Sequence, residues 1–354
     1  MIRASINGFG RIGRTTFRTW AESAELQKEI DIVAINTSGS MDTEGWASLL
    51  KYDTPYGTFK HDLGWEEMRS PGEVTEDNPR IGTFTFKGRE IPVLAQRDPS
   101  KIPWGKLDVD IVLECTGVFR TEEKASLHLD AGAKRVLLSA PGKGGDIGLY
   151  LLGVYTEGLG SKKISSNASC TTNCVAPVMQ VLDEKLGVDK AVMTTTHAYT
   201  DSQNLVDNSN KKDLYRTRAA AANLIPTSTG AAKATAKVMP NLTDIFDGMA
   251  IRCPVVTGSV SDITVVVKRK TTIEEVNGFF RDAAASDRYK GILGATEEPL
   301  VSSDIVGRSE SSLVALPFTM VVGGDLVKIL AWYDNEWAYC CRLVEMAVEI
   351  GKFL

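Results

Sequence analysis

An α/β chain of two domains is predicted: a Rossmann-type doubly wound parallel sheet over residues 1–169, then an α+β domain with a mostly antiparallel sheet over residues 170–336. Three observations predict it. Short β-branched strands alternate with helical stretches from Ile2 to Ser139, the pattern of a parallel sheet. A glycine-rich turn, Gly8-Phe9-Gly10-Arg11-Ile12-Gly13, joins the first strand directly to the first helix. Beyond Asp247, strands follow one another with few helices between them. The length of 354 residues, with 43% hydrophobic and 24% charged side chains, suits about two ordinary globular domains.

The elements follow in order. Met1–Asn7 reads as a strand, and Asn7, Gly8, Phe9, Gly10, Arg11, Ile12 and Gly13 form a candidate cofactor turn. Its glycines allow close approach of a pyrophosphate to the N-terminus of a helix predicted over Arg14–Ser23. Asp31–Asn36 is the second strand. An acid usually follows it and binds a ribose 2′-hydroxyl. Thr37-Ser38-Gly39-Ser40 stands there instead, hydroxyls that tolerate a 2′-phosphate, unless Asp42 or Glu44 folds back to do the acid's work. Residues 53–103 alternate short strands and turns and read as a hairpin insertion. Asp110–Glu114 and Arg135–Ser139 resume the parallel sheet around a helix at Glu122–Ala131. Cys115-Thr116-Gly117 sits at a strand's carboxyl end, where open sheets bind ligands, so Thr116 and Gly117 join the cofactor candidates and Cys115 is a packed thiol. Gly142–Gly145 lacks full P-loop spacing and reads as a turn.

Ser166–Cys174 leads into an amphipathic helix with Val175, Val178, Met179, Leu182 and Leu186 on one face and Gly187 at its end. Ser169 is its predicted N-cap, with Pro177 tolerated if it falls in the first turns. Cys170 then lies among unpaired N–H groups that favour a thiolate. Taken alone, a cysteine is more often a packed core residue. Three histidines exist, His61, His128 and His197. His197 ends the β-branched run Ala191–Thr200, from which it can reach Cys170 as its base. Residues 201–218 are polar and without periodicity, a functional or interface loop. Pro226–Lys233 is a hydroxyl-rich turn opening a helix and a second possible anion site. Antiparallel strands at 247–252, 259–268 and 327–333, a helix at 273–284 and a last helix from Trp337, packing back on the first domain, complete the chain.

Composition excludes several classes. No apolar run reaches the length of a membrane span. The irregular cysteine spacing and the scarcity of histidine offer no metal site and no disulfide framework. A net charge of −5 argues against a nucleic-acid surface. With strand-like residues from Ile2 and no leader expected, the location is taken as cytoplasmic.

These residues resemble one family, the phosphorylating glyceraldehyde-3-phosphate dehydrogenases, with features of its NADP-accepting photosynthetic branch. The resemblance is carried by Ile6–Arg14, Leu50–Asp53, Ser166–Cys174, His197–Thr200, Ser228–Lys233 and Trp332–Trp337. It implies reversible conversion of glyceraldehyde 3-phosphate and inorganic phosphate to 1,3-bisphosphoglycerate with NAD or NADP, through a thiohemiacetal and thioester on Cys170 with His197 as base. By the same resemblance Thr200 and Arg252 hold the substrate's phosphate, and Ser169, Thr171, Thr229, Gly230 and Arg216 the attacking phosphate. Asn335 binds the nicotinamide carboxamide, and the chain forms a homotetramer. Thr37 in place of an acid and Ser209 in place of proline, on a loop that reaches a neighbour's cofactor, resemble the NADP-using branch. Cys253 and the pair Cys340-Cys341 have no functional account. Erythrose-4-phosphate dehydrogenases share the cysteine and histidine but usually lack the run at Ser228–Lys233. A catalytically idle binding protein on the same fold is the reading from another class.

Overall fold

The computed structural model describes residues 1–210 and 213–354. The chain divides into two compact units, one of Met1–Tyr150, Thr156–Ala168 and Cys340–Leu354, the other of Leu151–Tyr155 and Ser169–Tyr339. Among the described residues, no helix is long and apolar enough to cross a membrane.

The first unit is built on a nine-stranded sheet, in the order Gly148–Leu149, Ile164–Ser166, Arg135–Leu138, Ile111–Glu114, Ile2–Asn7, Ile30–Asn36, Arg89–Leu94, Arg80–Phe86 and Leu63–Glu67. Pairing is parallel from Gly148 through Arg89–Leu94, and the last two strands add an antiparallel edge. The central strands are apolar because helices must cover both faces of a parallel sheet. From Ile2–Asn7 the order runs to opposite sides, toward Ile30–Asn36 and toward Ile111–Glu114, which makes the end of the first strand the switch point where such sheets bind ligands. Residues 53–103 are therefore more than an insertion. Their hairpin turns at Lys87 and Gly88, both at positive φ, and its second strand lies parallel beside Asn36 as part of the main sheet. Its side chains complete an aromatic core in which Phe17 meets Phe9 and Trp20 edge-on, with Phe84 and Phe86 alongside.

The first helix spans Arg11–Glu22, starting three residues earlier than the periodicity predicts. Gly10 serves as its N-cap, so the turn is compressed into Gly8–Gly10. The C-terminal segment groups with this unit. Arg135 Nη2 donates to the Phe353 carbonyl at 3.2 Å, and a Cβ at Gly351 would strike Ile2.

The second unit holds an eight-stranded mixed sheet among the described residues, ordered Ile225–Ser228, Phe246–Cys253, Val188–Ala198, Ser259–Val267, Leu326–Tyr333, Ser312–Ala315 and Leu293–Thr296, with Met320–Val322 beside Leu326–Tyr333. Most pairings are antiparallel, as expected. Phe246–Cys253 departs from that: it runs parallel to Val188–Ala198, because the helix Ala231–Val238 carries the chain back between them. The helix Cys170–Leu186 buries Val175, Val178, Met179, Leu182 and Leu186 and ends at Gly187, whose φ of +69° suits glycine. Pro177 lies inside this helix rather than in its first turns. Its ring is buried, and the packing of the apolar face outweighs the missing N–H bond.

Candidate active site

The second unit brings Cys170 and His197 together. Ser169 caps the helix, its hydroxyl accepting from Thr172 N at 3.2 Å, so Cys170 is the first helical residue. Cys170 Sγ lies 3.4 Å from His197 Nε2. The ring is held from behind, its Nδ1 2.7 Å from the Ala198 carbonyl; in the tautomer with the proton on Nδ1, that carbonyl accepts it and the Nε2 lone pair faces the thiol. Parallel register sets Arg252 opposite His197, and Arg252 Nη1 donates to the same carbonyl at 3.0 Å while lying 2.6 Å from Nδ1. Burial, reinforced by that cation, pulls the imidazole down to about 3, so the ring is a neutral base at neutral pH. Burial pushes the Cys170 thiol up, against the pull of Arg252 and of hydrogen bonds from Thr171. The N–H groups of the helix start act against burial, and His197, the base candidate, lies within reach of the thiol proton.

A residue without an assigned role in the sequence stands behind this pair. Tyr333 OH is 3.0 Å from Thr171 Oγ1 and 2.8 Å from Thr195 Oγ1, and its ring meets His197 edge-on at 6.0 Å. It ties the helix that carries Cys170 to the strand that carries His197. The signal available was an aromatic residue ending an alternating strand, which by itself reads as core.

The expected anion-binding residues are gathered less evenly. Arg252 Nε is buried with no hydrogen-bond partner among the described residues, a donor that a bound anion would satisfy. Thr200 Oγ1 is 3.0 Å from Ser202 Oγ. Thr229 Oγ1 accepts from Ala231 N at the start of the helix for which Gly230 is N-cap. Arg216 is engaged by Asp213 at 3.1 Å and by Thr227, so its charge is largely met within the fold. Asn335 is oriented: its Oδ1 accepts from Ser259 Oγ at 2.8 Å and Thr257 Oγ1 at 3.3 Å, turning Nδ2 the other way. Ser259 also accepts from Ala198 N, so one hydroxyl links Asn335 to the strand of the base.

The glycine-rich turn lies in the first unit. Gly8 has φ +92°, and Thr116 occupies the space its side chain would need, while a Cβ at Gly13 would run into the Gly8 carbonyl. Gly10 is open on that side, and the helix start has neither a side-chain cap nor an acid in its first turn. A helix start with no side-chain cap, beside an open glycine, fits a dinucleotide pyrophosphate. Phe9 is buried in the aromatic core, Arg11 is paired with Asp53, and Ile12 is half-buried in the first helical turn. Gly117 has φ +68°.

Thr37 does not offer its hydroxyl to a ribose. It is 1% exposed, and its hydroxyl donates to the Leu94 carbonyl at 2.9 Å. The hairpin strand beside it supplies that acceptor. Asp42 caps the helix Thr43–Lys51, accepting from Gly45 N, so it is occupied elsewhere. Ser38 is exposed, and Arg97 Nε donates to its carbonyl at 3.1 Å, adding a cation to this loop that the sequence did not single out. Ser209 is exposed and its backbone N–H bonds Asn208 Oδ1; the neighbouring residues 211 and 212 of the loop lie outside the described residues.

The fold and its family matches define a dinucleotide-dependent oxidoreductase. The chain belongs to the glyceraldehyde-3-phosphate dehydrogenase family. The family's NAD-binding domain matches residues 2–122 and its C-terminal domain residues 169–335. A glyceraldehyde-3-phosphate dehydrogenase of Streptomyces coelicolor is 49% identical over 355 residues, covering 100% of this chain and 99% of the relative. The chloroplastic GAPA1 form of Arabidopsis thaliana is 46% identical over 98% of this chain and 83% of its own. Glyceraldehyde-3-phosphate dehydrogenase 2 of Synechocystis is 44% identical over 99% of each.

Proposed function

We propose that the chain oxidises glyceraldehyde 3-phosphate to 1,3-bisphosphoglycerate with NAD or NADP and inorganic phosphate, reversibly, through a thioester on Cys170. The observation that carries this is the 3.4 Å approach of Cys170 Sγ to the buried, neutral His197. The thiol gives its proton to Nε2 as sulfur attacks the aldehyde carbon, and that proton passes to the carbonyl oxygen to give a thiohemiacetal. His197 then withdraws the hydroxyl proton as hydride departs, leaving a thioester. Asn7–Gly13, Thr116 and Gly117 would hold the dinucleotide and Asn335 its carboxamide, and the bound nicotinamide would supply the hydride acceptor. Phosphate attack on the thioester carbon breaks the C–S bond, releases the acyl phosphate and leaves the Cys170 thiolate, to which His197 returns the proton it took.

Arg252 and Thr200 hold the substrate's phosphate, while Ser169, Thr171, Thr229, Gly230 and Arg216 receive the attacking one. Arg252→Leu is expected to lower kcat/KM for glyceraldehyde 3-phosphate about a hundredfold, the worth of a charged bidentate contact, and for unphosphorylated glyceraldehyde far less. Steady-state assays with both aldehydes check this. Equal losses would mean that Arg252 serves His197 alone.

The unmodified protein is expected to use both cofactors. No acid faces the ribose at residue 37, and exposed Ser38 with Arg97 offers a donor and a cation to a 2′-phosphate. Ser209 adds a hydroxyl from a neighbouring subunit. Ser38→Asp should lower kcat/KM with NADP about tenfold while sparing NAD, since it restores a repelling charge. An unchanged cofactor ratio would place the 2′-phosphate elsewhere. Leu205, Leu214 and Leu224 are 80%, 82% and 70% exposed, apolar side chains of the kind a homotetramer would cover; sedimentation of a single 38.4 kDa species would contradict that reading. A cytoplasmic location is checked by fractionation.

A further inference from the structure

One buried titratable pair plays no part in the steps above. Glu114 ends the strand Ile111–Glu114, and His128 lies in the helix Glu122–Asp130; both are inaccessible to solvent. A carboxylate taken out of water is costly unless every lone pair is met. Here its donors come from several elements. Glu114 Oε2 takes His128 Nε2 at 3.1 Å and Asn7 Nδ2, while Oε1 takes Thr116 N at 2.8 Å and the Thr116 hydroxyl. No lysine or arginine among the described residues forms an ion pair with it.

The direction of each bond is fixed. Trp104 Nε1 can only donate, and it lies 3.0 Å from His128 Nδ1, so that nitrogen accepts and the ring proton sits on Nε2, facing Glu114. Because Asn7 Nδ2 faces Glu114, its Oδ1 accepts from Asn36 Nδ2 at 2.7 Å. Asn36 Oδ1 in turn accepts from Gln96 N at 3.0 Å. The chain of bonds therefore crosses the carboxyl ends of three adjacent parallel strands and reaches the residue before Arg97. Asn7 leads into Gly8, and Thr116 fills the space beside Gly8, so both side chains that shape the turn are gripped by one carboxylate.

We infer that Glu114, with its tautomer-fixed partner His128, is a positioning residue for dinucleotide binding: it sets the floor of the cofactor crevice by orienting Asn7 and Thr116 together. The inference rests on the cofactor reading given above. Glu114 touches no substrate and no reacting atom. Its loss is read in affinity rather than in chemistry.

Glu114→Gln replaces one acceptor oxygen with an amide that confronts the donors of Asn7 or Thr116. The Kd for NADH, followed by fluorescence titration of the full-length protein, should rise about ten- to a hundredfold, the worth of one charged hydrogen bond, with kcat at saturating cofactor within about twofold. A lowered melting temperature with unchanged Kd would overturn the inference and leave Glu114 a purely structural group. If Glu114→Gln fails to fold, the pair His128→Gln and His128→Leu decides. The glutamine keeps a donor toward Glu114 and should bind NADH nearly as the unmodified protein does, whereas the leucine should bind it at least about fivefold more weakly. Equal Kd values for the two would overturn the inference. Failure of the unmodified protein to bind NADH or NADPH would instead overturn the cofactor reading, and this inference with it.

Discussion

Cys170→Ser is expected to lower aldehyde oxidation by roughly four powers of ten or more, while leaving NAD(P) binding intact. The buried site already pushes the thiol up, and only the base at 3.4 Å makes it a nucleophile. A serine hydroxyl is far less acidic still, and it is a poorer leaving group when phosphate attacks the acyl intermediate. The substitution removes one sulfur from a helix start whose cap, Ser169, and whose neighbour Thr171 remain, so the fold has no reason to change. Steady-state turnover and a cofactor titration on the same preparation separate the two effects. Loss of both would signal a collapsed site, and retained turnover would remove Cys170 from the mechanism.

His197→Asn should slow oxidation by about 10²- to 10⁴-fold, the usual worth of a positioned acid–base group. The same variant carries a signature in stability. His197 is buried neutral with its pKa lowered to about 3, against about 6.5 in an unfolded chain. Between those values the unfolded state binds a proton that the folded state does not. Stability therefore rises with pH across that window and falls as pH drops from about 6.5 toward 3, by at most about 1.4 kcal/mol per unit. Asparagine cannot titrate, so the acid limb of a denaturation series should be shallower in the variant. A small kinetic loss with an unchanged acid limb would mean that His197 is neither base nor buried titrating group.

The approach of Cys170 to His197 was legible in the chain because each rests on a local pattern. A serine before an amphipathic helix marks where Cys170 begins, and a β-branched run marks the strand that His197 ends. The glycine turn was legible for the same reason. Thr37 was misread because its direction depends on a partner 57 residues away: only when Arg89–Leu94 docks as the next strand does the Leu94 carbonyl claim the hydroxyl. The parallel course of Phe246–Cys253 is likewise a matter of topology, and strand composition alone does not distinguish it. Tyr333 and Glu114 carry no sequence pattern of their own. Tyr333 meets Thr171 across 162 positions and Glu114 meets Asn7 across 107, so their roles exist only once distant strands are side by side.

The proposed reaction turns on a covalent intermediate that phosphate must resolve. Rapid mixing of the protein with NAD and glyceraldehyde 3-phosphate, without inorganic phosphate, should give a burst of about one NADH per Cys170 and then a near halt, with steady turnover restored on adding phosphate. Continuous NADH formation without phosphate, or turnover with no burst that phosphate leaves unchanged, would contradict it.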